Sequence, residues 1–225
     1  MTDGPLIDTA PARRPQRTTL TGRLVTLAPL DPAAHGEALY LGSHGAEKEQ
    51  LWRYLGDGPY PDRAAFDASL ARKAASADPL FFTILDKAAG LPAGYATYLR
   101  IEPTHRVIEV GNILYLPTLQ RTAGATEAMY LMARHAFEDL GYRRYEWKCN
   151  ALNEPSRRAA LRLGFSFEGL FRQHMIVKNR NRDTAWFSLL DTEWPQRKAA
   201  FERWLDPANF DGAGHQRSSL NQPAT

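Results

Sequence analysis

Glu109 is the one carboxylate in an apolar run, Val107-Ile108-Glu109-Val110-Gly111-Asn112-Ile113-Leu114-Tyr115-Leu116. Apolar neighbours that strip water from a carboxyl group disfavour its charged form and raise its pKa, which suits a proton acceptor near neutral pH. The same residue also reads as a carboxylate satisfied by an arginine or a backbone group at a sheet edge. Downstream, Gln120-Arg121-Thr122-Ala123-Gly124-Ala125-Thr126 is a loop of small residues that opens a helix. A helix start presents N–H groups with no intrahelical partner, and small residues let a ligand approach the backbone, so this loop could hold a phosphate or pyrophosphate. At Asn153-Glu154-Pro155-Ser156 a second helix begins, with Asn153 as N-cap and Ser156 free to use its hydroxyl on local backbone. Trp52, Tyr54 and Tyr60 crowd a Gly/Pro-rich loop. Such aromatics either stack on a substrate or cation, or anchor the loop to the core.

The elements that must position these groups follow from periodicity. The apolar run around Glu109, closed by Pro117, is a buried strand. Two strands precede it as a hairpin, Leu80–Leu85 and Gly94–Ile101, which makes three plausible antiparallel strands. After the small-residue loop, Met129, Met132, Ala133, Ala136, Phe137 and Leu140 form one helical stripe of about four turns, ended by Gly141. Arg144 to Asn150 alternates charge with aromatic or thiol side chains as a half-buried strand, and the Asn153 helix ends at Gly164. Asp31-Pro32 and Asp62 cap two earlier helices. Phe165 to Glu168 is a short strand, and Leu170–Lys178 with Asp183–Asp191 close a hairpin. Trp194, Phe201, Trp204 and Leu205 mark a last amphipathic helix.

The order strand, Gln-Arg-small-residue loop, helix, strand, Asn-x-x-Ser helix, Gly164-Phe165 resembles the GNAT superfamily of acyl-CoA-dependent N-acyltransferases. Within it the nearest likeness is the RimJ/RimL-like branch, known for acetylating protein N-termini. The resemblance runs from about Leu20 to Leu190, with Leu20–Leu30 similar to the branch's opening strand. It implies an α/β (α+β) fold with a mixed, mostly antiparallel central sheet flanked by helices. It implies acetyl-CoA as co-substrate and direct attack, in a ternary complex, by a primary amine of a small molecule or a protein N-terminus. Glu109 would be the base, commonly through water, and Ser156 would protonate the leaving thiolate. The pantetheine arm would lie along the splayed backbone of Ile113 and Leu114 and against Asn153. The pyrophosphate would lie on Gln120, Arg121, Thr122, Ala123, Gly124 and Ala125, with Thr126. Arg157, Arg158 and Arg162 could meet the ribose 3′-phosphate, or be a solvated helix face. Trp52, Tyr54 and Tyr60 would line the acceptor side. Ala123 stands where the family has Gly. At φ > 0 it would cost about 1–2 kcal/mol and reshape the loop; at helical angles it is harmless. The departure motivates an alternative, a non-catalytic acyl-CoA-binding protein of the same fold. The family also admits a homodimer.

Composition sets the outer bounds. The chain has 225 residues and a formal charge of +3, which favours neither a nucleic-acid nor a membrane-surface partner. Arg172, Lys178, Arg180 and Arg182 around the last hairpin either steer an anionic partner, RNA included, or keep the hairpin solvated. The single Cys149 forms no internal disulfide and reads as core. The histidines show no metal-ligand spacing, so no metal is expected. With no membrane-length apolar run and no signal-peptide pattern at the start, a cytoplasmic location is expected. Residues 1–17 and 206–225 read as disordered tails around a single domain, 18–205.

Overall fold

The computed structural model describes Gly4 and residues 6–222. Its strands are β1 (Leu20–Thr21), β2 (Val25–Pro29), β3 (Leu80–Asp86), β4 (Leu91–Glu102), β5 (Val107–Tyr115), β6 (Arg144–Asn150), β7 (Ser166–Val177) and β8 (Arg180–Leu190). They form one eight-stranded sheet in the order β1-β2-β3-β4-β5-β6-β8-β7. Every neighbouring pair is antiparallel except β5 with β6. This is the mostly antiparallel, helix-flanked sheet expected from the sequence.

The helices begin where short polar side chains can take orphan N–H groups. Asp31 caps α1 (Pro32–Ser43), Asp62 caps α2 (Arg63–Ala75), Thr122 caps α3 (Ala123–Arg134) and Asn153 caps α4 (Glu154–Arg162). A fifth, α5, spans Trp194–Leu205. Alternate strand residues divide between two cores. On one face Phe82, Tyr98, Val110, Tyr145, Trp147 and Phe187 meet Met129, Met132 and Ala136 of the α3 stripe and Phe201 of α5. On the other, Phe81, Tyr95 and Leu114 meet Leu39, Trp52, Phe66 and Leu70 beneath α1 and α2.

Several details depart from the sequence reading. The α3 stripe is buried as expected, but its last part, His135–Asp139, widens into a π turn before Gly141 at φ +80° ends it. The strand after Gly164 runs unbroken through the expected gap at Gly169, with its register shifting twice along β8. Glu127, an unremarked helix residue, is buried and accepts the N–H groups of Arg23, Leu24 and Val25 at 2.9, 2.6 and 2.8 Å, fixing the turn into β2.

Both expected tails are partly tied down. Ala12 is 8 % exposed and donates to the Pro103 carbonyl at 3.0 Å, while Arg13 N–H reaches the Leu140 carbonyl at 2.9 Å. At the other end Phe210 bridges Gln216, and Leu220 is 1 % exposed in the main core. Scattered small apolar residues in polar segments give no periodicity, so only contact with the finished surface reveals that they pack. Residues 1–3, 5 and 223–225 of those expected tails lie outside the described residues.

The feature that shapes the site is the partnership of β5 and β6. Their parallel register holds from Val107–Arg144 to Val110–Trp147 and then stops. Beyond it β5 follows β4 and β6 follows β8, so the two strands separate. A bulge in β5 accompanies the departure, with Asn112 at φ +47°. Bulges add a residue to one strand and sharpen its twist, which turns β5 away from its neighbour.

Candidate active site

Glu109 lies on the last paired stretch before the strands part, opposite Glu146 of β6. Its residue exposure is 4 %, and the Lys148 Nζ lies 2.9 Å from Oε2 while Arg100 Nε approaches to 3.4 Å. Oε2 thus sits between two cations, Lys148 the nearer. Burial raises the Glu109 pKa above its ordinary value, against the pull of Lys148 and Arg100. Both readings of the sequence thus meet in one residue: its carboxylate is paired, yet desolvation prevails.

The pairing belongs to a chain of charges across the sheet. Lys148, with a side chain 3 % exposed, also contacts Glu146 at 2.6 Å. Arg144 bonds Glu146 at 2.7 Å and forks onto Glu168 at 2.7 and 2.6 Å. These partners were not foreseen. The alternation Arg144, Glu146, Lys148 in β6 carried the signal, since period two puts all of them on one face, but only the sheet order brings that face beside Glu109.

Ser156 sits in the first turn of α4, beyond the end of β6. Its N–H donates to Asn153 Oδ1 at 3.2 Å, and its Oγ accepts the Trp147 indole N–H at 3.0 Å. A hydroxyl that accepts there keeps its own proton to donate. Cys149, beside Ser156, is buried, and burial raises its thiol pKa.

At the start of α3 the strained position is Arg121, at φ +61°, and not Ala123. Ala123 is the first helical residue with ordinary angles, so it imposes no cost and the motive for a non-catalytic alternative disappears. Gln120 N–H bonds the Leu116 carbonyl, Thr122 N–H bonds that of Leu119, and Ala125 N–H is taken by Thr122 Oγ1. The N–H groups of Arg121, Ala123 and Gly124 find no carbonyl in this loop. Of the expected run, those three remain able to hold an anion. Thr126 is buried, and its hydroxyl takes Arg162 Nη1 at 3.0 Å. Arg162 is thus no solvated face: it leans inward under Trp204, 4.7 Å from the ring centroid, and burial lowers its pKa. Arg157 and Arg158 stay near Glu154, as a polar helix face does.

Ile113 and Leu114 follow the bulge, where the β6 side of the backbone is unpaired. The Leu114 side chain turns under α1 and α2, and that of Ile113 packs against the main core. Of the loop aromatics, Trp52 must be corrected: it is 0 % exposed, donates to the Ser43 carbonyl at 2.8 Å and anchors the loop. Tyr54 ties the loop to the β6–α4 turn through the Leu152 carbonyl at 2.9 Å, and Lys178 of the hairpin reaches the Trp52 carbonyl at 2.7 Å. Tyr60 lines an open cleft of about 440 Å³ that also holds Asp57, Ser69, Lys73, Tyr95 and Asn112. Its hydroxyl bonds Lys73 at 2.9 Å. The cleft reaches Asn112 at the β5 bulge.

A family model for the acetyltransferase (GNAT) domain matches residues 25–166, which include Glu109, the α3 loop and Ser156. The chain belongs to the GNAT acetyltransferase family. Acetyl-CoA is the acetyl donor of GNAT acetyltransferases. A GCN5-related N-acetyltransferase from Brucella melitensis is 49 % identical, with a TM-score of 0.92 over 94 % of this chain and 96 % of that one. A probable acetyltransferase (GNAT family) from Chromobacterium violaceum ATCC 12472 is 39 % identical, with a TM-score of 0.80 over 87 % and 98 %. The microcin C7 self-immunity acetyltransferase MccE, seen with acetyl-CoA and AMP, shares the fold at 19 % identity and a TM-score of 0.65 over 75 % and 93 %. No curated protein matches the chain. Among the described residues no helix is long and apolar enough to cross a membrane.

Proposed function

We propose that this GNAT acetyltransferase acetylates a primary amine, of a small molecule or a protein N-terminus, by direct attack within a ternary complex. The observation that carries the reading is the parting of β5 and β6, with a desolvated carboxylate at its root and a proton-bearing hydroxyl at its rim. The amine nitrogen forms a C–N bond to the thioester carbonyl carbon, and the C–S bond breaks. Glu109, directly or through water, takes the proton that the nitrogen must lose, and its raised pKa suits that task. Ser156 gives its proton to the departing sulfur and recovers one from solvent, so amide and free thiol are the products. The N–H groups of Arg121, Ala123 and Gly124 would hold the pyrophosphate of the coenzyme, with Arg162 behind them through Thr126. The amide nitrogen of Asn153 and the open backbone at Ile113 would meet the pantetheine arm.

Tyr54 and Tyr60 border the acceptor entrance. The likeness to the RimJ/RimL-like branch, a homodimer, a single domain whose core extends beyond the expected 18–205 to Ala12 and Leu220, and a cytoplasmic location complete the proposal. The lone thiol Cys149 is consistent with a reducing compartment. The test is thermal unfolding with and without acetyl-CoA, followed by a panel of amines. Binding at a hundredfold excess over Kd adds about 2.7 kcal/mol of stability, a visible rise in midpoint. No rise at millimolar acetyl-CoA would overturn the reading.

A further inference from the structure

Seven buried side-chain atoms among the described residues have no hydrogen-bond partner. Three belong to the tyrosines and histidine of the core, Tyr142, Tyr145 and His135, and Glu109 Oε2 has the Lys148 ammonium at 2.9 Å, which leaves Arg157 Nε, Arg182 Nε and Trp186 Nε1. Buried polar atoms are normally satisfied, so unspent donors on β8 and the start of α4 point to a ligand that supplies their partners.

Register brings the β8 groups to Glu109. Trp186 of β8 is paired with Lys148, whose Nζ stands 3.8 Å from the centroid of its ring. Arg182, Thr184 and Trp186 alternate onto one side of β8, the side that carries Lys148 and, beyond it, Glu109. The Arg182 guanidinium is half-buried and forms no ion pair among the described residues, while burial lowers its pKa despite the charges of Cys149 and Glu109. A desolvated cation without a counter-charge is costly unless binding provides one. The neighbouring carboxylates are already engaged: Glu109 and Glu146 by Lys148, and Asp183 by Gln173 N–H and Asn181. A guanidinium fork matches a carboxylate, and the indole N–H of Trp186 is one more donor.

We propose that the acceptor amine carries a carboxylate on the same small molecule, as a free amino acid does, and that Arg182 with Trp186 holds this carboxylate while Glu109 faces the amine. The inference rests on the acyl-transfer reading above and selects the small molecule over the protein N-terminus, whose own carboxylate has become an amide.

The experiment compares the twenty amino acids with their amides as acceptors at saturating acetyl-CoA, following thiol release, in the wild type, R182M and R182K. Calorimetry with acetyl-CoA is run on all three proteins, and unfolding midpoints confirm that the variants fold. At least one amino acid should exceed its amide in kcat/KM by about 10- to 100-fold, the range of a charge-assisted hydrogen bond. R182M should collapse that ratio by raising KM for the acid more than it lowers kcat, with R182K in between. Amides that react as well as acids would overturn the inference. So would an R182M defect confined to acetyl-CoA binding, which would assign Arg182 to the coenzyme, or the failure of every acid in a protein that binds acetyl-CoA. If the wild type does not bind acetyl-CoA, the acyl-transfer reading itself falls and takes this inference with it.

Discussion

Replacing Glu109 by glutamine keeps the shape of the side chain and removes its proton affinity. A positioned general base contributes about 10²- to 10⁴-fold to a rate, so E109Q should lose at least about a hundredfold in kcat. Stability should respond much less. Breaking a buried ion pair costs about 3–5 kcal/mol when it strands a charge, but Lys148 keeps Glu146 at 2.6 Å. A loss of about 1–2 kcal/mol is therefore expected, which lowers the unfolding midpoint by only a few degrees in a chain of this size. The pH dependence of kcat gives the sharper reading. Burial raises the Glu109 pKa, Lys148 is the largest opposing charge, and Glu146 adds to the rise. The wild-type acid limb should sit above the ordinary carboxylate range and vanish in E109Q. E146Q, which removes a negative neighbour, should move that limb to lower pH; K148M, which removes the positive one, should move it to higher pH. Steady-state rates at saturating concentrations of both substrates, from pH 5 to 9, decide the matter. An E109Q enzyme within tenfold of wild type, or limbs that shift the same way in E146Q and K148M, would refute Glu109 as the base.

Three further outcomes follow from the same geometry. S156A should lower kcat by about a hundredfold through loss of the proton donor, and leaving the Trp147 indole N–H unpaired should cost about 1–3 kcal/mol; a kcat within threefold of wild type would remove the role. W52A should destabilise the fold by about 3–5 kcal/mol, as large-to-small changes in a core do, and a denaturation series showing less than 1 kcal/mol with a raised acceptor KM would return Trp52 to the substrate surface. Glu168, held by Arg144, has its pKa lowered to about 2 from 4.5. A depressed carboxylate stabilises the fold above its unfolded pKa, so the advantage of wild type over E168Q should be present at pH 6 and shrink as pH falls from 4.5 towards 2; with Glu168 partly exposed the effect is small and weakened by salt. A difference that stays constant across that range would contradict the pairing.

Much of the frame was legible because it rests on local rules. The Asp31, Asp62 and Asn153 caps, the Met129–Phe137 stripe and the alternation in β6 each depend on neighbours within a turn or a strand. The motif order around Glu109, Gln120–Thr126 and Ser156 was enough to select the family. Less legible was anything that depends on where two distant segments meet. Trp52 among glycines and prolines read either as a substrate-side aromatic or as a loop anchor, and only the fold, with Gly58 packed directly on its ring, decides for the anchor. Ala12 and Leu220 lie in stretches without periodicity, and only the surface they cover makes them core.

The sequence by itself marked the residues proposed to carry the chemistry: a lone carboxylate in an apolar strand, a small-residue helix start and a serine at a second one. The tertiary structure decided what state those groups are in. Whether Glu109 is a spent ion-pair partner or a base depends on Lys148 and Arg100 weighed against burial, which is a sum over strands that are far apart in the chain. Whether Ala123 harms the loop depends on which residue takes the left-handed backbone, and the folded loop gives that position to Arg121. Arg182 joins the site only because β8 lies against β6, a pairing set by sheet order and invisible to any window of residues.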